Sequence, residues 1–192
     1  ILEGEAEISP ERLLAIRPAL VAGVLCNDAH LRTEDGRPTL VGDPTEGALV
    51  VMAAKGGVDP GVTRRELERS GEVPFDSATK YMATLHPHPD DPERSLVVVK
   101  GAPDVVLARC STVAVDDGAE PIDSAGRAEL VASNDSLGSE GLRVLALATT
   151  ELPVRAQEYE GELADELDGL CLEALVGILD PARPEAIDGI AE

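Results

Sequence analysis

The sequence predicts an α+β fold, a mainly antiparallel twisted β-sheet flanked by helical pairs, and three observations carry that expectation. Tyr81 to His86 and Ser95 to Lys100 are two β-rich apolar runs joined by a Pro/Asp loop, most simply an antiparallel pair. The segments that start with helix caps mix with hairpins and do not alternate strictly with single strands, which sets the chain apart from parallel α/β folds. The composition is globular, 43% hydrophobic, but only 2% aromatic, with one Phe, two Tyr and no Trp. Its core must therefore be built from Val, Leu, Ile and Ala. At 192 residues the chain is long enough for one good-sized domain or two small ones.

Taken in order, Ser9-Pro10 reads as a cap followed by Pro at the first helical position, and apolar residues recur at helical spacing from Leu13 to Leu25. Pro18 implies a kink or a break between two helices. Residues 31–41 read as a hairpin turning at Asp35-Gly36. Asp43-Pro44 opens the next helix, with Glu46 placed to close a capping box and Gly56-Gly57 as its end. A short charged helix from Val62 to Arg69 precedes a strand from Glu72 to Phe75. After the central pair of strands come a helix from Ala102 to Cys110, a strand from Thr112 to Val115 and a turn at 116–118. A helix from Pro121 to Leu137 follows, then a strong strand from Leu142 to Ala148. The acidic stretch Glu158 to Asp168 reads as surface helix or loop, and Leu172 to Leu179 as the last strand.

Charge narrows the function classes. The formal net charge is -21, from 37 Asp and Glu against 16 Lys and Arg. Such a chain repels nucleic-acid backbones and anionic lipid surfaces unless positive charge is locally concentrated. Cys26, Cys110 and Cys171 are odd in number and lack Cys-x-x-Cys spacing, which points away from a disulfide framework or a zinc site and toward a reducing compartment. No apolar run approaches the roughly 20 residues that span a bilayer. The chain starts at Ile1, and its last segment opens like a helix at Arg183-Pro184. This reads as a domain excised from a larger protein.

The lysines, Lys55, Lys80 and Lys100, are scarce, so one placed at a strand-to-helix junction invites an anion. In Lys100-Gly101 an amine and a bare backbone approach the same point; an ordinary strand terminus is the competing account. Phe75 stands five residues before Lys80, suited to stacking a base while the lysine holds a phosphate tail. Core packing for the ring and solvent for the amine is the alternative. Arg143, at the head of a strand, could grip phosphate oxygens bidentately or pair with one of the many carboxylates. His86 and His88 with Asp90 and Asp91 have some metal-site character, but the prolines and acids read better as an exposed loop. Neither GxGxxG nor GxxxxGK[ST] is present, and no nucleophile set assembles.

Six strings in a fixed order resemble the cytoplasmic nucleotide-binding domain of P-type cation-transporting ATPases, of the calcium-pump and sodium-pump-like branch. They are Leu25-Cys-Asn-Asp28, Gly42-Asp-Pro-Thr-Glu-Gly-Ala48, Val73-Pro-Phe-Asp-Ser77 with Lys80-Tyr-Met82, Lys100-Gly-Ala-Pro-Asp104, Gly141-Leu-Arg-Val-Leu-Ala146 and Asp180-Pro-Ala-Arg-Pro184. The resemblance implies that residues 1–8 lead in from a phosphorylation domain, that 9–179 form the nucleotide-binding domain, and that 180–192 are a return hinge. It further implies a monomeric cytoplasmic domain of a multi-pass plasma-membrane protein. This domain would bind ATP, with Mg2+ in the full-length parent, and its partners would be the phosphorylation and actuator domains of the same chain.

By the same resemblance, Phe75 would stack on adenine, Glu46 would make a polar contact on the adenine side, and Met82 would line the pocket. Lys80 and Lys100 would flank the nucleotide, with Gly101 permitting close approach. Arg143 would reach the phosphates, the anion to which Lys100 is also assigned, and Asp180 and Arg183 would belong to the hinge that helps complete the phosphate site. Ser77 occupies a nucleotide-site position where muscle calcium pumps carry arginine, and Ala182 replaces the hinge's second proline. The Asp-Lys-Thr-Gly-Thr segment, whose aspartate is phosphorylated in the family, does not occur in these residues, nor does the acidic magnesium-binding segment. The fragment is therefore expected to position ATP without hydrolysing it. Two rivals remain: a stand-alone phosphatase or kinase, and an acidic protein-interaction module without nucleotide binding. Arginine outnumbering lysine is compatible with a GC-rich bacterial genome.

Overall fold

A computed structural model describes residues 2–3, 6–34, 37–116, 118–154 and 163–179. In chain order the elements are β1 (Leu2–Glu3), β2 (Ala6–Glu7), α1 (Pro10–Ala15), α2 (Arg17–Leu25), β3 (His30–Glu34), β4 (Arg37–Val41), α3 (Pro44–Lys55), α4 (Pro60–Glu66), β5 (Gly71–Asp76), β6 (Tyr81–Pro87) and β7 (Arg94–Gly101). They continue with α5 (Pro103–Arg109), β8 (Cys110–Val115), β9 (Gly118–Pro121), α6 (Ser124–Ser139), β10 (Arg143–Pro153), a 3-10 turn at Leu163–Glu166 and β11 (Leu170–Ile178).

Seven strands form one sheet in the order β5-β6-β7-β10-β11-β8-β9, while β1-β2 and β3-β4 pair separately. Within the seven-stranded sheet every described pairing is antiparallel except β11 with β8. The expected α+β class with a mainly antiparallel sheet is what the chain adopts.

The sheet is covered on both faces, which explains why β7 reads as an unbroken apolar run instead of alternating. Across β6, β7 and β10 the register partners Tyr81, Gly101 and Ala146 stand side by side, and so do Met82, Lys100 and Leu147 one residue along. Because side chains alternate between faces, these rows belong to opposite faces. The first carries the larger core, in which Ala83, Val97, Val99 and Ala148 pack with Val106 and Leu107 of α5 and with Leu163 and Leu167. The second packs Met82, Val98 and Leu147 against Ala22 and Leu25 of α2, Cys26 and Leu49 of α3. Each fully buried leucine here contributes about 1.5–3 kcal/mol by leaving water.

Local signals account for the helices. Ser9 Oγ accepts from Arg12 N–H at 3.1 Å, and Pro18 marks a true break, with Ile16 between α1 and α2. Asp43 caps α3 by accepting from the Thr45 and Glu46 amides at 2.8 and 3.3 Å. The reciprocal arm of the expected capping box does not form, because both Glu46 carboxylate oxygens are engaged elsewhere. Asp59-Pro60 repeats the cap-plus-proline signal and starts α4 at Pro60, ahead of the expected Val62. The end of α2 is closed by α4: Arg64 donates to the carbonyls of Val24, Asn27 and Ala29, at 2.8 Å for the last. That satisfies carbonyls which a helix terminus leaves unpaired.

Other boundaries differ from the sequence reading. β9 begins at the end of the expected turn at 116–118 and takes in Pro121, where the sequence predicts a helix; all four of its residues are exposed, so it carries no apolar alternation to announce it. α6 starts at Ser124 behind its Asp123 cap, and β10 runs on to Pro153 because β7 pairs with it as far as Arg94. The Asp35-Gly36 turn, Asp117, residues 158–162 of the acidic stretch and the whole of 180–192 lie outside the described residues. No described helix is long and apolar enough to cross a membrane. Cys26, Cys110 and Cys171 are free thiols, and burial pushes Cys26 up to about 11.

His86 is a core residue. Its Nδ1 lies 2.9 Å from the Leu67 carbonyl and its Nε2 2.9 Å from Thr84 Oγ1. Nδ1 therefore carries the proton and donates to Leu67, while Nε2 accepts from the Thr84 hydroxyl. Burial pushes the imidazole from its ordinary 6.5 down to about 4. As pH falls, the unfolded chain takes up this proton first, so the stabilisation is complete above 6.5 and is lost progressively toward 4. The expected result in urea unfolding at a series of pH values is a steeper loss between pH 6.5 and 4 for wild type than for His86→Gln. Parallel pH curves would contradict this account. His88 pairs with Glu151 at 3.3 Å, so the two histidines have different partners. Among the described residues no group of three or more His, Cys, Asp or Glu gathers for a metal.

Candidate functional site

The strings singled out in the sequence converge on one end of the sheet. The C-terminal ends of β5 and β7, the N-terminal ends of β6 and β10, and the first turn of α3 meet there. The β5–β6 connection is short: Asp76 Oδ1 accepts the Ala78 amide at 2.7 Å, and the Asp76 carbonyl accepts Lys80 N–H at 2.6 Å. Lys80 closes it with φ of 60°, a left-handed conformation uncommon for a residue with a side chain.

Lys100 is only 6% exposed, and its Nζ donates to Glu46 Oε1 at 2.6 Å. The other Glu46 oxygen accepts the Asp28 amide at 3.1 Å. The anion that this lysine meets in the structure is thus a carboxylate of its own chain, on an apolar floor made by its register partners Met82 and Leu147. One residue away, Arg143 Nη1 donates to Thr45 Oγ1 at 3.3 Å and remains exposed. The first turn of α3 therefore receives two cationic side chains, one buried and one open.

Phe75 is 62% exposed on β5, an edge strand. Pro74 is accommodated because the β5–β6 register shifts between Val73 and Asp76, and edge strands and bulges tolerate proline. The shift leaves Asp76 opposite Tyr81, and Phe75 stands within the bulge. Ser77 is exposed in the following turn. Lys80 is exposed too, its Nζ 3.5 Å from Asp104 Oδ2 at the start of α5.

At Gly101 the absence of a side chain also serves the packing of the sheet. A Cβ there would lie 2.6 Å from the Lys80 carbonyl oxygen and 2.9 Å from Tyr81 Cα. The close approach is that of strand β6, sealed by Ala102 N–H donating to Lys80 O at 2.9 Å.

Glu46, Met82, Lys100, Gly101 and Arg143 are thereby joined through direct contacts or register, with Phe75, Ser77 and Lys80 on the adjoining hairpin. Asp180 and Arg183 lie outside the described residues. Sequence reasoning missed Asp28, Thr45 and Asp104 as partners of this cluster, though all three sit within quoted strings. A groove of about 860 Å3 between α1 and the β8–β9 hairpin contains none of these residues.

The sequence profile of the family described as P-type ATPase, cytoplasmic domain N, matches residues 15–185. The chain belongs to this family. The N domain is 36% identical over 188 residues to a protein named calcium-transporting ATPase from Bacillus subtilis, covering 98% of this chain and 21% of that protein. It is 37% identical over 173 residues to calcium-transporting ATPase 1 of Lactococcus lactis, covering 90% and 19%. With human calcium-transporting ATPase type 2C member 1 it shares 34% over 170 residues, covering 88% and 16%. The chain thus spans about a fifth of the length of these relatives, and bacterial proteins are prominent among them.

Proposed function

We propose that this N domain binds ATP at the strand ends and positions it for phosphorylation of an aspartate in the parent cation-transporting ATPase. The observation that carries this reading is Phe75. The chain's only phenylalanine lies open to solvent on the edge strand next to β6, where no core requires it. An exposed ring next to convergent polar groups is what a planar base needs.

The geometry divides the cations by task. Triphosphate oxygens keep much of their hydration, which favours the exposed Lys80 and Arg143 as their partners. Lys100, buried and neutralised by Glu46, is better suited to the base edge. Together the pair offers ammonium donors and a carboxylate acceptor beside Met82, the register partner of Lys100. Gly101 acts indirectly by holding β6, and hence Lys80 and Met82, against β7. Ser77 offers a neutral hydroxyl in the turn between ring and lysine. Asp180 and Arg183 would complete the phosphate side as hinge residues, beside phosphorylation and actuator domains.

Mg2+ neutralises charge on the nucleotide in phosphoryl transfer. In this reading the residues of the strand ends bind and orient the nucleotide only. The isolated domain is then expected not to hydrolyse ATP. Sustained stoichiometric turnover abolished by Lys100→Ala would overturn that part.

Phe75→Ala is the direct test. An exposed ring contributes little to folding, so the unfolding free energy should change by less than about 0.5 kcal/mol. ATP affinity by calorimetry should fall about tenfold as the stacking is lost. A large stability loss with unchanged affinity would return Phe75 to the core. The rival acidic interaction module would be favoured if ATP left the amide resonances of Phe75, Lys80 and Gly101 unmoved.

A further inference from the structure

Arg69, between α4 and β5, makes four hydrogen bonds that none of the roles above uses. Nη2 donates to the Leu25 carbonyl at 3.3 Å and the Asn27 carbonyl at 3.0 Å, while Nη1 donates to Asp28 Oδ1 at 2.8 Å and Glu72 Oε2 at 2.7 Å. The first three acceptors belong to the turn that ends α2. The fourth is on β5, three residues before Phe75.

That turn holds Glu46 in two ways. Asn27, 2% exposed, donates from Nδ2 to the carbonyls of Gly23 and Glu46, both at 2.9 Å, and accepts the Ala29 amide on Oδ1 at 2.9 Å. This ties the backbone of the first turn of α3 to α2. Asp28 then donates its amide to Glu46 Oε2 at 3.1 Å, so the orientation of the carboxylate depends on where the 27–28 peptide lies. Arg69 sets that position from outside by gripping the residues on both sides of the peptide.

We propose that Arg69 is a positioning residue for base recognition. Its planar fork fastens the turn that aims Glu46 at one wall of the pocket to the strand that carries Phe75 at the other. A guanidinium presents five donors in a rigid plane, whereas a lysine ammonium presents three at a point and cannot hold this set of acceptors in one orientation. The fold does not depend on Arg69 alone. Arg64 also donates to the Asn27 carbonyl, at 3.1 Å, and keeps the α2 terminus closed.

The inference rests on the reading of Glu46 as the acceptor for a base amine, and the test separates the two. ATP carries an exocyclic amine that donates to a carboxylate; ITP carries a carbonyl at the same place, which a carboxylate repels. Calorimetric titration of the folded domain with each nucleotide measures the preference. Wild type is expected to favour ATP, and Arg69→Ala to lower ATP affinity about tenfold while ITP affinity changes much less, so the preference shrinks. Arg69→Lys, which keeps the charge and lacks the fork, is expected to shrink it as well. A merely structural arginine would lower both affinities in proportion or neither, and a preserved preference in either folded variant overturns the proposal. A wild-type domain that binds ATP without preferring it to ITP refutes the reading of Glu46 itself, and this inference with it.

Discussion

Lys100→Met should destabilise the domain by about 3 kcal/mol, and adding Glu46→Gln should restore most of that loss without restoring nucleotide binding. The single change removes an ammonium that is almost fully buried and leaves the Glu46 carboxylate, itself largely covered, with only the Asp28 amide as partner. Breaking a buried pair from one side strands the other charge, at a cost of about 3–5 kcal/mol, whereas replacing both partners by neutral groups is often tolerated. The residual Asp28 bond and the partial exposure of Glu46 put the estimate at the low end. Urea unfolding of wild type, Lys100→Met and the double variant gives the stability arm, and ATP titration gives the other. If the double variant were no more stable than the single, the pair would not be a buried electrostatic unit. If it bound ATP like wild type, the pair would have no part in the site.

Gly101→Ala should cost about 2–3 kcal/mol and weaken ATP binding in the same variant. The added methyl would meet the Lys80 carbonyl oxygen at 2.6 Å, Tyr81 Cβ at 2.7 Å and Tyr81 Cα at 2.9 Å. Two of these atoms are backbone and the third is fixed to it, so no side-chain rotation relieves the contact. Overpacking of this kind costs about 1–3 kcal/mol. Relief requires β6 to move from β7 where Ala102 N–H bonds Lys80 O, displacing Lys80 and Met82. Thermal unfolding together with ATP titration reads both effects. Normal stability would mean that the strands separate freely there; lost stability with wild-type affinity would mean that β6 does not shape the site.

The parts legible in the chain were those written in neighbouring residues. Ser9-Pro10 and Asp43-Pro44 start helices because a capping oxygen and a proline act within one turn. Asp59-Pro60 carries the same signal and starts α4 two residues ahead of the Val62 at which the apolar and charged pattern begins. β9 has no signature in the sequence because an edge strand exposed throughout has no buried face to pattern. Glu46 shows the limit most clearly. Its position three residues after the Asp43 cap is a local signature for a capping box, but Lys100, 54 residues away, makes the stronger local field and takes the carboxylate.

By itself, the sequence determined the α+β class, the apolar strands of the sheet centre and the order of strings that places the chain in its family. These depend on side-chain period and short-range capping, which neighbours in the chain settle. Only the tertiary structure decided that Lys100 is buried against Glu46 while Lys80 and Arg143 stay open, and that Gly101 serves strand packing. It alone brought Arg69 between the wall of Glu46 and the strand of Phe75. Burial and pairing of a charge depend on which distant groups share its low-dielectric surroundings, and only the folded packing brings those groups together.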